Sequence, residues 1–101
     1  MPIYMIEREI PGANKLTDEE LRGITATSND AVAELDKPYT WCYSFVAGDK
    51  CYCIHEAQSA DDVREHARLG AFPANLVEEI TACFDSTGPR ELPERTVDLV
   101  R

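Results

Sequence analysis

The chain has 101 residues, 44% hydrophobic and 29% charged, and carries a formal net charge of −9 with a pI near 4.5. That length is one domain with room for a single sheet-and-helix core, and the acidic balance argues against nucleic acid, whose phosphates demand a basic footprint. There is no apolar run long enough for a membrane and no basic-plus-apolar leader, so the expectation is a soluble, cytoplasmic protein with no membrane partner. In such a compartment four cysteines read as thiols and not as a disulfide framework.

Residues 3–9, IYMIERE, are β-rich and predict a first strand, with Ile3 and Met5 on one face, Tyr4 and Ile6 on the other, and Pro11-Gly12 at its end. Thr17 and Glu20 then have the spacing of a capping box, and Leu16 with Leu21 supplies a hydrophobic staple. The apolar stripe Leu21, Ile24, Ala31, Val32, Leu35 predicts a helix that Pro38 closes.

Trp41 to Ala57, WCYSFVAGDKCYCIHEA, reads as a hairpin around Gly48-Asp49, with glycine first as a type II′ turn requires. That turn fixes the register. Val46 faces Cys51, Ser44 faces Cys53, and Cys42 faces His55. Alternation then gathers Cys42, Ser44, Cys51, Cys53 and His55 on one face. The opposite face holds Trp41, Tyr43, Phe45, Tyr52, Ile54 and Glu56.

Ser59 with Asp62 predicts the start of a second helix, and its inward stripe is Val63, His66, Ala67 and Gly70. Gly70 and Pro73 mark the stop. Residues 76–84, LVEEITACF, predict a last strand. The expected division is a ferredoxin-like domain over residues 1–85 and, over 86–101, either an extended tail or an added edge strand formed by RTVDLV.

The order β-α-β-β-α-β predicts an α+β, ferredoxin-like fold: a four-stranded antiparallel sheet with two helices on one face. The strands are apolar on both faces, so the uncovered surface needs a cover. A homodimer packed sheet against sheet is the simplest one.

Several of these residues together resemble a known family. They are Glu7-Arg8, Trp41, Ser44-Phe45, Asp49-Lys50, Tyr52-Cys53, Glu56-Ala57, Arg64-Glu65-His66-Ala67 and Gly70-Ala71-Phe72-Pro73. The chain resembles, over roughly residues 3–85, the small bacterial ferredoxin-like dimers called nickel-binding-like proteins. The resemblance implies a dimer that can bind nickel, with a role in metal sequestration for some members. Cys42, Cys51 and His55 stand outside the family pattern.

Thiolate and imidazole suit nickel, copper and zinc, and the hairpin register would let Cys42, Cys53 and His55 converge on one ion. Cysteine is equally a small buried apolar residue, and packing is the competing reading for Cys51 and Cys53. His66, pointing at the sheet, reads as a core histidine or a metal ligand, and the family-like motif adds weight to it and to Glu56. The expected metal ligands are thus Cys53, His55, Glu56 and His66, with Cys42 as the last candidate. The expected function is nickel-type metal binding, with copper or zinc behind nickel, for sequestration or sensing without turnover. The alternative is a cofactor-independent enzyme or ligand binder with an aromatic pocket between two sheets, lined by Trp41, Tyr43 and Tyr52, with Glu56 or His66 as acid/base. No Gly-rich phosphate loop, nucleophile elbow or C-x-x-C motif is present.

Overall fold

A computed structural model describes residues 1–92. Strand β1 (Ile3–Glu9) leads through a single 3-10 turn to α1 (Asp18–Leu35), then β2 (Tyr39–Ala47), β3 (Lys50–Ala57), α2 (Ala60–Gly70) and β4 (Leu76–Glu79). The four strands form one antiparallel sheet in the order β2-β3-β1-β4. This is the α+β arrangement that the element order predicts. Among the described residues no helix is long and apolar enough to cross a membrane.

Local chemistry sets the element ends as expected. Thr17 Oγ1 accepts from the Glu20 amide while Glu20 accepts from the Thr17 amide, so the capping box is closed. Ser59 caps α2 through the Asp62 amide. Gly48 sits at φ 61 while Asp49 keeps a negative φ, which fits a type II′ turn and excludes type I′. The α2 stop falls one residue later than Gly70 suggests. Ala71 takes the left-handed conformation at φ 56, and its amide reaches the Ala67 and Arg68 carbonyls.

The helices cover the face of Tyr4, Ile6, Cys53 and Ala57, onto which Val63 of α2 packs. Ile3, Cys42 and Ile54 form a second buried cluster on the other face, with Met5, Tyr43, Ile80 and Leu92 against it. Part of the second face is therefore covered by the chain's own C-terminal segment, while Phe45 remains exposed.

Two expectations are corrected. The register holds from Ala47↔Lys50 to Tyr43↔Ile54, but it shifts between Trp41 and Tyr43, and Trp41 pairs with His55. Cys42 is the extra residue of a β-bulge. It joins Ile3 and Ile54 on the uncovered face, and Trp41 moves to the helix face.

The last strand, expected over 76–84, leaves the sheet after Glu79. Its final bond runs from the Ile80 amide to the Ile3 carbonyl, and the next residue, Pro2, has no N–H and gives its carbonyl to the Ala57 amide. Cys83–Asp85 (β5) and Gly88–Arg90 (β6) instead form a separate hairpin, which spans the expected boundary at residue 85. The RTVDLV segment expected as an edge strand lies outside the described residues.

Candidate functional site

A cavity of about 710 Å³ lies between α1 and the sheet. Leu21, Ile24, Thr25 and Ser28 of α1 form its roof. Arg8, Trp41, Ser44, Cys51, Cys53 and His55 line the sheet side, and Phe72 and Pro73 close one end. Antiparallel pairing puts these side chains together. Ile6 and Ser44 flank Cys53, and Tyr4 and Trp41 flank His55.

Cys53 is the hub. Its buried sulfur is 3.4 Å from Arg8 Nε, 3.0 Å from Ser44 Oγ and 3.7 Å from Cys51 Sγ. Ser44 in turn accepts from Trp41 Nε1 at 2.9 Å, so its own hydroxyl hydrogen is left for the sulfur. The Cys51 thiol, followed by His55, Arg8 and Ser44, outweighs burial and lowers the Cys53 pKa well below the usual thiol range. Cys51 moves the other way. Its hydrogen bond to Cys53 and its burial hold it as the protonated donor of the pair. A thiolate beside Arg8 leaves the pair neutral, as a buried charge requires.

Two histidines stand beside this sulfur. Tyr39, whose pKa burial raises, shares a hydrogen bond with His55 Nδ1. Burial lowers the His55 pKa and holds the ring neutral, while its hydrogen bond to Cys53 acts in the opposite direction. His66 is fully buried on α2. Its Nε2 is 3.2 Å from both the carbonyl and the hydroxyl of Ser28. A carbonyl only accepts, so Nε2 carries the hydrogen.

His66 Nδ1 is then a bare lone pair. It is the buried side-chain nitrogen or oxygen with no hydrogen-bond partner among the described residues. Burial, with the adjacent His55, lowers the His66 pKa to about 4, so the lone pair is open at neutral pH. The ring stacks on Tyr39 at 4.9 Å and meets His55 edge-on at 5.2 Å between centroids.

Of the five expected ligands, Cys53, His55 and His66 share this neighbourhood. Cys42 and Glu56 lie on the other side of the sheet, where burial, with the Glu56 charge behind it, raises the Cys42 thiol pKa. Among the described residues, no group of three or more histidine, cysteine, aspartate or glutamate side chains is placed to hold a metal ion. The bulge also carries Trp41 to the opposite side of the sheet from Tyr43, Tyr52 and Glu56, with which it was expected to line an aromatic pocket.

Arg8, Tyr39 and Ser28 belong to the site without having been singled out for it. Arg8 had a signal: a charge on the inward stripe Tyr4, Ile6, Arg8. Ser28 had one too, since it fills the gap at helical spacing in the stripe Leu21, Ile24, Ala31, Leu35. Tyr39 had none, because the bulge that turns it inward is a three-dimensional fact.

The profile of the family described as nickel responsive protein SCO4226-like matches residues 4–80. The chain belongs to the SCO4226-like family. Among solved structures it is similar to SCO4226 from Streptomyces coelicolor A3(2), with a TM-score of 0.64 and 20% sequence identity over 77% of this chain and 94% of that one. At that identity the likeness to SCO4226 concerns the fold. No curated protein matches. The matched span includes Arg8, Tyr39, Cys53, His55 and His66, so the whole cluster lies inside the SCO4226-like region.

Proposed function

We propose that this chain binds a divalent transition metal of the nickel type, with copper or zinc as weaker candidates, and holds or senses it without turning over a substrate. The observation that carries this reading is the orphaned Nδ1 of His66. A metal-bound histidine characteristically donates its other ring N–H to a backbone carbonyl, which fixes the tautomer. His66 already has that arrangement through Ser28. The proposed ligands are His66, Cys53 and Cys51, with His55 beside them.

Cys51 supports the reading independently. Two thiolates bound at about 2.3 Å to one tetrahedral ion sit about 3.8 Å apart, close to the 3.7 Å between Cys51 and Cys53. Arg8 works in the opposite direction, because a guanidinium at 3.4 Å from Cys53 repels a cation. Uptake therefore requires Cys53 to exchange Arg8 for the metal and Cys51 to release its proton, so affinity should rise with pH.

The family name, nickel responsive, agrees with this reading. The same proposal includes a homodimer through the uncovered sheet face, where Phe45 is exposed and Tyr43 and Tyr52 are half-buried.

The test is a nickel titration of the metal-free protein, followed by absorbance and calorimetry. A saturable site with thiolate-to-nickel charge transfer is expected, with the band lost in Cys53→Ser and the affinity reduced at least tenfold in His66→Ala. A featureless titration, or a His66→Ala variant that binds like wild type, would end the proposal.

A further inference from the structure

We propose that the cavity beneath α1 is a binding site for a small organic monocarboxylate, with its carboxylate on Arg8 and its apolar body against Leu16, Leu21, Ile24 and Val46. The volume, about 710 Å³, is in the range of small-molecule pockets, which are largely apolar with a few placed polar groups. Here the apolar groups come from α1, the segment before it and β2, and the polar groups from the sheet.

Arg8 supplies the ligand's anchor, through a donor that the Cys53 sulfur does not use. Only 4% of the residue is exposed, yet it lines the cavity. Its Nε is taken by Cys53 and its Nη1 by the Pro73 carbonyl at 2.7 Å, and the guanidinium lies 5.4 Å from the Phe72 ring centroid. Among the described residues no group accepts from Nη2. A guanidinium has five N–H donors and matches a carboxylate oxygen by geometry as well as charge. An anionic head with an apolar body is the ligand shape that uses both the free donor and the aliphatic roof. A cationic ligand would meet Arg8 and a neutral alkane would leave Nη2 unused.

This inference is independent of the metal reading, and its test excludes metal. Trp41 is the single tryptophan of the chain and lines the cavity, so intrinsic fluorescence reports occupancy directly. With chelator present, octanoate and 1-octanol are titrated as probes below their aggregation limits. Octanoate should shift Trp41 emission saturably and bind at least tenfold more tightly than octanol, and Arg8→Gln should erase that preference.

Amide and indole chemical shifts of the wild-type protein provide the second measurement, which stands even if Arg8→Gln does not fold. Perturbations should centre on Leu21, Ile24 and the Trp41 indole. Equal affinity for octanoate and octanol, perturbations confined to the uncovered sheet face, or no saturable change at all would each overturn the proposal. A protein that binds nickel but not octanoate sinks this inference alone, and the reverse outcome sinks only the metal reading.

Discussion

Acid should unfold this protein earlier than its carboxylates alone require, and His66 sets the margin. Its folded pKa is about 4 because burial and the neighbouring His55 penalise the imidazolium, whereas an unfolded histidine titrates near 6.5. Between those values the unfolded chain binds the proton and the native one does not, so stability falls as pH drops. The contribution is intact above pH 6.5 and disappears as pH passes down through the folded value. With one pKa unit worth about 1.4 kcal/mol, the loss is about 2 kcal/mol at pH 5 and about 3 kcal/mol at pH 4.

Urea unfolding at pH 7.5 and pH 5, read by Trp41 fluorescence, measures this. A slope of about 1–3 kcal/mol per molar urea converts 2 kcal/mol into a midpoint lower by roughly 0.7–2 M. His66→Gln, which cannot titrate but can still donate to the Ser28 carbonyl, is the control. His55 and all carboxylates remain in both proteins and cancel in the comparison. If His66→Gln loses as much stability as wild type between the two pH values, the reasoning about the buried neutral imidazole fails.

Two further outcomes follow from the geometry. At pH 7 the metal-free protein should show absorbance near 240 nm for one thiolate, absent in Cys53→Ser, because Cys51, His55, Arg8 and Ser44 all donate to that sulfur; equal spectra for the two proteins would refute it. Ala71→Gly should raise thermal stability by about 0.5–1 kcal/mol, because a β-carbon in the left-handed region is strained; an unchanged or lower melting temperature would count against it.

Much of the fold was legible because its signals are local. Thr17-Glu20 and Ser59-Asp62 announce helix starts with neighbouring residues only, and Gly48-Asp49 announces its own turn. His66 was legible as inward-facing because a helical stripe needs no partner to be read. Its orphaned nitrogen was not, since that depends on Ser28 arriving from another helix 38 residues away in sequence.

Cys42 shows the opposite limit. Strict alternation from the turn placed it opposite His55, and nothing in WCYS marks a bulge. The early end of β4 was hidden for a similar reason: residues 80–82 suit a strand, but beyond the Ile80–Ile3 bond the neighbouring residue is Pro2, which has no N–H and whose carbonyl accepts from Ala57. The cavity is legible in no single segment, because its apolar roof and polar floor come from opposite sides of the core.

The single additional residue in β2 changes the parity of everything before it. Tyr39 and Trp41 look inward only because Cys42 stands outside the ladder between them and the rest of the strand. The orientation of the two rings therefore depends on Cys42 staying outside the ladder and not on its thiol. Deleting Cys42 would join Trp41 to Tyr43 in an unbroken ladder, with Trp41 still opposite His55 and both rings still inward. Drawing Cys42 into regular pairing opposite His55 would instead turn Trp41 and Tyr39 outward. One frame-shifted position thus links the uncovered sheet face to the composition of the histidine cluster on the other side.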